Sequence, residues 1–534
     1  MTRARRAIDW RFAALALALL LGLGLFGRIA GTDPDEEYAL ASTAHGLAYA
    51  WHRAFFYELQ APLWFAVVAL WRGLDASVGF ARLFSIACAL GTCFALRSIA
   101  LRVRPERDPL AFVALVALNP FFVYAALEVR VYACALLLCA LWWLAFDEGF
   151  LGGEDRGARV RLGVLSLLAI YTFYYLGFLL AGGILALVVA RRFAALRTYL
   201  VIVAVLAPAA IPALLIVHAT FADVRAALPP VAHASLRTFA EPLLIFGLPT
   251  SYRWSDIPVL ASGLHAYKVI VVLSLAALAL AAPRLGRREW ALVTLAAGTW
   301  LVYPLCYVLV RVRFEEPRHY VTLFVPFAAA AYAVLTALSR RPRLVRGLVV
   351  GVYAALCLTT LWAEYGSFSK AGDMRRVGAF VSERAAPGDV VAVFAPDAEP
   401  AFRRFYTGSA PVRAFPDEPD PERYDTPRYV VHSVDAAAAA LGRVAQGRRL
   451  WLVIYGRCQT GADNYGCDTL ARALRERFPA ARVTGFYEAE VVEVAPAAGR
   501  PNAGKSPERG SRSVSGERPD SRVKKAAFSA IASV

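Results

Sequence analysis

Gly31-Thr32-Asp33-Pro34-Asp35-Glu36-Glu37-Tyr38 follows the first apolar run of the chain, Phe12 to Ile29, and sets four carboxylates within five residues at its edge. Two readings compete for this stretch. In one it is a helix start: Asp33 is the N-cap, Pro34 the first helical residue, and Glu36 the partner of a capping box. Acidic side chains in a first turn also suit the helix dipole. In the other it is chemical. A carboxylate at a membrane boundary stays ionised, yet lies near enough to hydrocarbon to act on a substrate that is half lipid. The rest of the chain decides between them.

Composition places that boundary. The chain has 534 residues, 58% hydrophobic and only 19% charged, against roughly 25% charged in soluble domains. Apolar runs of about twenty residues recur, the length that spans a hydrocarbon core. This pattern is that of a polytopic membrane protein. The net charge of +17 does not mark a nucleic-acid surface, because the basic residues fall mainly in short loops and in the C-terminal tail, as the positive-inside rule requires. Arg3, Arg5, Arg6 and Arg11 precede the first run, and no small-residue cleavage site follows it. The first helix is therefore read as retained, with the N-terminus cytoplasmic and the acidic run outside.

Ala39 to Tyr57 mixes small and aromatic residues with His45, His52 and Arg53, and reads as an interfacial helix. Ala61–Leu74 is apolar for only about ten residues, too short to cross a bilayer of about 30 Å. Charge settles its placement. Laid flat, it leaves Arg97, Arg102, Arg104 and Arg107 inside and brings the basic loops at 156–161, 191–197, 284–288 and 340–346 into phase. The remaining spans are then 78–97, 109–126, 129–146, 162–174, 176–190, 198–218, 264–282, 289–310, 320–338 and 344–363, about eleven with the first. A single tilted helix over 162–190 is the alternative to two short spans there. The long outer loop 219–263 contains Leu236–Leu248, a second interfacial candidate.

Beyond Glu364 helix-like and strand-like pieces alternate: Met374–Ala385, Asp389–Phe394, Tyr429–Val434, Leu450–Tyr455, Thr469–Phe478 and Phe486–Val494. The organisation expected is a transmembrane domain over 1–366 with a first outer loop at 31–77, an extracytoplasmic small α/β domain over 367–496, and a disordered basic tail over 497–534. Six of the eight cysteines lie in apolar runs; Cys458 and Cys467 do not. Placed outside, these two suit a disulfide, with free thiols or pairing to another chain as alternatives.

By this topology the outer face gathers Asp35, Glu36, Arg82, Asn119, Glu128, Arg130, Tyr132, Arg318, His319 and Tyr320. Any one of them could simply anchor a helix end. Together, carboxylates facing several arginines suit a substrate with a phosphate at its lipid end. Arginine pairs bidentately with phosphate, and a carboxylate serves as general base for an acceptor hydroxyl or amine.

At these residues the chain resembles the GT-C superfamily of integral-membrane glycosyltransferases, in the branch holding protein O-mannosyltransferases and lipid A aminoarabinose or galacturonic acid transferases. The resemblance rests on Asp35-Glu36 with Tyr38, Ala61-Pro62-Leu63-Trp64, Arg82-Leu83-Phe84-Ser85, Asn119-Pro120-Phe121, Leu127-Glu128-Val129-Arg130-Val131-Tyr132-Ala133, and Arg318-His319-Tyr320 with Pro326. It covers roughly residues 10 to 340. Leu127 replaces the family's usual glutamine, and Phe173 stands where relatives often place a histidine.

The resemblance implies a glycosyltransferase of a bacterial inner membrane, using a polyprenyl-phosphate-linked sugar donor and inverting the anomeric carbon. It makes Asp35 the base with Glu36 its helper, and Arg130, Arg318 and Arg82 the donor-phosphate ligands. Glu128, Tyr132, His319 and Tyr320 become substrate contacts. The acceptor would be an envelope glycolipid, polysaccharide or protein; no cofactor is assigned, and a divalent metal is left open. Two other functions remain: a transporter or flippase of lipid-linked sugars, which calls for charges near mid-membrane, and a non-catalytic membrane scaffold.

Overall fold

The computed structural model describes residues 9–227, 264–310, 317–338, 343–365, 373–420, 426–455, 465–486 and 489–495, with Phe239, Phe246 and Gly247 between them. The expected interfacial piece Leu236–Leu248 and the tail 497–534 fall mostly or wholly outside these residues, as does Cys458. The chain divides into two compact units, one within Met1–Lys370 with Asp420–Thr426, the other within Ala371–Pro419 and Pro427–Val534.

The first unit is helical. Its elements are α1 (Trp10–Ile29), α2 (Pro34–Ser42), α3 (Leu47–Phe56), α4 (Pro62–Arg72), α5 (Val78–Val103), α6 (Leu110–Leu118), α7 (Pro120–Leu127), α8 (Tyr132–Phe146, continued by a wider turn to Leu151), α9 (Arg156–Thr172), α10 (Phe178–Val189), α11 (Phe193–Ala227), α12 (Leu264–Ala281), α13 (Arg287–Val310), α14 (Val321–Leu338) and α15 (Arg343–Tyr365). Among the described residues six helices are long and apolar enough to cross a membrane, at 10–29, 78–103, 132–151, 193–211, 287–309 and 318–338. The pair α6–α7 makes a seventh if counted as one span.

Several of the eleven spans read from the sequence are thus not single long helices. The expected span 109–126 breaks at Asn119-Pro120, where the two helix axes bend by 67°. Pro120 cannot donate to the preceding turn, and the Asn119 side chain caps the new helix by accepting from Phe121 N–H at 2.9 Å. The 162–190 segment is two helices, of 17 and 12 residues, parted at Phe173, as the sequence reading divides it, and not one tilted helix. α4 is eleven residues long, shorter than a spanning helix.

α8 is the hub of the first unit. It packs against α5, α9 and α14, while α10 lies along α13. The α10–α13 approach depends on small residues: a Cβ on Gly298 would come within 2.9 Å of the Gly182 Cα. Two polar layers cap this apolar core. One surrounds Arg82 near the start of α5. The other surrounds Arg102, twenty residues on, or about 30 Å at 1.5 Å per residue. There Asp147, 1% exposed, is held by Arg288 at 2.7 Å and Arg102 at 3.4 Å, and Glu148 pairs with Arg102 and Arg161. The spacing equals the thickness of a hydrocarbon layer.

The second unit contains α16 (Met374–Arg384), β1 (Val390–Phe394), α17 (Glu399–Phe405), β2 (Val412–Ala414), α18 (Val434–Ala445), β3 (Leu450–Tyr455), α19 (Cys467–Arg477), β4 (Arg482–Phe486) and β5 (Ala489–Val494). The sheet order is β2-β1-β3-β5-β4; β2, β1 and β3 run parallel, and β5 is antiparallel to both neighbours. Every residue of β1 is buried, as expected of a parallel strand covered on both faces. No strand forms over Tyr429–Val434. Ser433 instead caps α18, accepting from Ala436 N–H at 3.1 Å. Cys467 is disulfide-bonded, whereas Cys88, Cys93, Cys134, Cys139, Cys306 and Cys357 are free thiols.

Candidate active site

The acidic run builds its own helix start. Asp33 Oδ1 accepts from Glu36 N–H at 2.8 Å and Pro34 opens α2, so the local sequence alone fixes where the helix begins. The Glu36 side chain does not return to the cap. It is fully buried and takes two hydrogen bonds from Arg82, Nε to Oε1 at 2.9 Å and Nη2 to Oε2 at 2.7 Å. Val129 N–H adds a third at 3.0 Å. Arg82 spends its other three donors on carbonyls: Nη1 on Gly27 at 2.7 Å and Ala30 at 2.9 Å, and Nη2 on Gly31 at 2.6 Å. All five guanidinium N–H groups are thus engaged inside the protein. Arg82, expected on the donor phosphate, has no N–H left to offer one here.

Asp35, one residue before Glu36, faces the other way. Its carboxylate pairs directly with Arg318 and lies 3.9 Å from Arg130 Nη2. Arg318 stands in the short turn Pro317–Tyr320 that opens α14, and Arg130 in the linker between α7 and α8. Residues 35 and 318 are 283 apart in sequence. Arg130 is anchored by Glu58, whose Oε2 accepts from its Nη1 at 2.9 Å. Burial works against the Arg130 cation. Asp35 and then Glu58 more than offset this and hold it above its ordinary value. Asp35 thus stands beside two arginines.

Glu128 is buried, and its backbone oxygen accepts from Ser85 Oγ at 2.6 Å. Among the described residues Asp33, Glu36 and Glu128 form one group able to hold a metal, their oxygens within 4.8 Å of one another. Arg82 lies against the same group, so the positive charge a divalent ion would bring is already supplied by arginine. Tyr132 stacks on Tyr124 with centroids 5.7 Å apart. Tyr320 stacks on Tyr303 at 4.3 Å, and His319 meets the Tyr175 ring edge-on at 6.0 Å. Tyr175 and Tyr303 thus join Tyr320 and His319 in an aromatic wall beside Arg318.

The residues that sequence reasoning missed are Glu58, Ser42 and Arg53. Arg53 reads there as a polar member of the interfacial helix, and Ser42 and Glu58 are not singled out. The available signal was Glu58 itself, a carboxylate just ahead of Pro62 in a stretch otherwise apolar.

No protein-family model and no curated protein matches the chain. Among solved structures it is similar to the crystal structure of ArnT from Cupriavidus metallidurans in the apo state, with a TM-score of 0.51 and 14% identity over 90% of this chain and 97% of that one. ArnT bound to undecaprenyl phosphate aligns at 0.41 and 15%, over the same shares of the two chains. The Archaeoglobus fulgidus oligosaccharyltransferase complex with Zn and sulfate aligns at 0.38 and 12%, over 87% of this chain and 70% of that one. The first of these is a likeness of fold across nearly the whole of both chains. The chain thus shares the fold of that ArnT structure, in keeping with the fold that the resemblance of its motifs implies.

Proposed function

We propose that this chain is an inverting membrane glycosyltransferase that moves a sugar from a polyprenyl-phosphate donor to an acceptor at the outer face of a bacterial inner membrane. One observation carries the reading: Asp35 stands between two arginines, while the carboxylate next to it is fully engaged in holding the helix. The reaction needs a base for the acceptor and cations for the leaving phosphate. Asp35 takes the acceptor proton as the acceptor oxygen or nitrogen attacks the anomeric carbon. The bond from that carbon to the phosphate oxygen breaks, and its electron pair leaves with the lipid phosphate. Arg130 and Arg318 take up the growing charge, an interaction stronger in the transition state than in the ground state.

The same geometry gives the steps an order. Without donor, the two arginines hold Asp35, and a carboxylate so held is a poor base. A phosphate entering beside them competes for the guanidinium forks and frees Asp35 for the acceptor. Glu36 and Arg82 take no part in bond making; they fix α2. Tyr132, Tyr320 and His319 are proposed as walls for the sugar, and Glu128 as a support for the same corner. The lipid class is the one found on ArnT.

The test is sugar transfer by purified protein from a synthetic polyprenyl-phosphate sugar, together with mass spectrometry of envelope glycans and glycolipids with and without the gene. A glycan or glycolipid missing one sugar is the expected result. An unchanged envelope and no turnover of any such donor would sink the proposal.

A further inference from the structure

Arg53 is a buried cation without a direct ion pair among the described residues; the Glu58 carboxylate reaches it only through the Ser42 hydroxyl. It lies in the last turn of α3, is 4% exposed, and carries its guanidinium 3.5 Å from the centroid of the Tyr57 ring. Among the described residues its side chain makes one hydrogen bond, Nε–H to Ser42 Oγ at 3.3 Å, and no acid lies within ion-pair distance. Its terminal nitrogens are not among the polar atoms sealed from solvent without a partner, so they open onto accessible space. A buried charge without a direct counter-ion is costly, and the cation–π contact with Tyr57 returns only part of that cost. The deficit has the sign that an anion corrects.

The position says which anion. Ser42 Oγ, which accepts from Arg53, donates to Glu58 Oε1 at 2.7 Å, and Glu58 Oε2 accepts from Arg130 at 2.9 Å. Arg53 and Arg130 thus flank one carboxylate, and Arg130 in turn faces Asp35. Glu58 is already bonded on both oxygens. It screens the two cations from each other and leaves Arg53 its terminal N–H groups. α3 turns Leu47, Trp51 and Phe56 outward, each more than two-fifths exposed, so the guanidinium sits beneath an apolar surface suited to a lipid chain.

We propose that Arg53 is a phosphate-binding residue for a lipid-linked substrate, entering the site from the α3 side. This rests on the reading above for the nature of the lipid. The phosphate has two sources, the polyprenyl donor or a phosphate-bearing glycolipid acceptor, and the experiment separates them.

The experiment uses the full chain in nanodiscs of neutral lipid, as wild type, Arg53→Gln, Arg53→Lys and Arg53→Met. Methionine keeps an apolar stem over Tyr57. Affinity and ligand-induced thermal stabilisation are measured with a short-chain polyprenyl phosphate, with the matching polyprenol, and with phosphatidic acid. KM is measured for donor and acceptor separately. An arginine awaiting its anion predicts glutamine and methionine variants that are, without ligand, as heat-stable as wild type or more so. It predicts polyprenyl phosphate binding weakened about 10- to 100-fold, as for the loss of hydrogen bonds to a charged group, with partial recovery by lysine and unchanged polyprenol binding. Unchanged polyprenyl phosphate binding with a raised acceptor KM assigns the phosphate to the acceptor and also supports the proposal.

Three results overturn it. The glutamine and methionine variants lose stability without ligand, as a purely structural arginine would. Or affinity and both KM values stay at wild type. Or phosphatidic acid shows the same Arg53-dependent binding, making the residue a bilayer anchor. Where Arg53 variants bind normally and Arg130→Ala and Arg318→Ala do not, this inference fails alone; where none of the three matters, the function proposed above fails with it.

Discussion

Arg82 provides the sharpest test, because its side chain could serve either a phosphate or the fold. The perturbation is a four-protein cycle: wild type, Glu36→Gln, Arg82→Met and the double variant. Arg82→Met removes five hydrogen bonds, strands three backbone carbonyls, and leaves Glu36 charged at 0% exposure. Breaking a buried pair by removing one partner costs about 3–5 kcal/mol. Glu36→Gln keeps an acceptor for Val129 but leaves Arg82 without its counter-charge, a loss in the same range. The double variant carries no bare charge. It should therefore be more stable than the sum of the singles implies, by about 2–3 kcal/mol of coupling. The assay is unfolding in mixed micelles by denaturing detergent, read by near-ultraviolet circular dichroism, with donor affinity on the same samples. Activity should fall in step with folded fraction, since Asp35 is the next residue along. If Arg82→Met unfolds within about 0.5 kcal/mol of wild type, shows no coupling to Glu36, and loses only donor affinity, Arg82 is the phosphate ligand that the sequence suggested and the structural assignment fails.

Asp35→Asn should lower transfer by about 10²–10⁴-fold with unchanged folding, whereas Asp33→Asn should be nearly silent, because asparagine caps as well as aspartate; an active Asp35→Asn enzyme would reduce the carboxylate to a helix start. Arg130→Ala and Arg318→Ala should each raise donor KM, and lysine should restore only part, since it keeps the charge and loses the fork; wild-type kinetics in either alanine variant would make that residue an anchor. Non-reducing peptide mapping should recover Cys467 joined to Cys458, closing a loop whose restraint is worth about 2–3 kcal/mol, and two free thiols from intact envelopes would end that pairing. A cysteine at Arg104, with the native cysteines removed, should resist an impermeant reagent added outside; its labelling there would invert the topology.

What the sequence made legible was local. Asp33-Pro34 marks a helix start whatever surrounds it, and basic loops in phase mark a membrane chain. The ionisable residues at span ends were visible as a set, and Asp35, Arg130 and Arg318 do meet. Their pairing was not visible, because helix register and tilt decide which arginine meets which carboxylate, and neither is written in twenty apolar residues. Arg82 and Arg130 looked alike for that reason, yet one is spent on Glu36 and three carbonyls and the other faces Asp35. Asn119-Pro120 carried the signal for the 67° break, but apolar length on either side made it read as one span. Arg53 was hidden differently: a charged residue in an interfacial helix reads as its wet face, and only tertiary contact shows it turned inward, as it does the Glu58 side chain just beyond that helix.

Followed one by one, the carboxylates of the acidic run do different work. A base must be held in place without being consumed by what holds it, and neighbouring carboxylates can divide that work. Asp33 ends its reach on a backbone N–H, and Glu36 on Arg82 and Val129. Because α2 turns about 100° per residue, fixing Glu36 inward fixes the direction of Asp35 as well. It points away from the pair that holds the helix and toward Arg130 and Arg318. For the base proposed above the cap is a condition: a helix start free to fray would let Asp35 settle on whichever arginine came nearest, and an entering donor would find no fixed carboxylate to release.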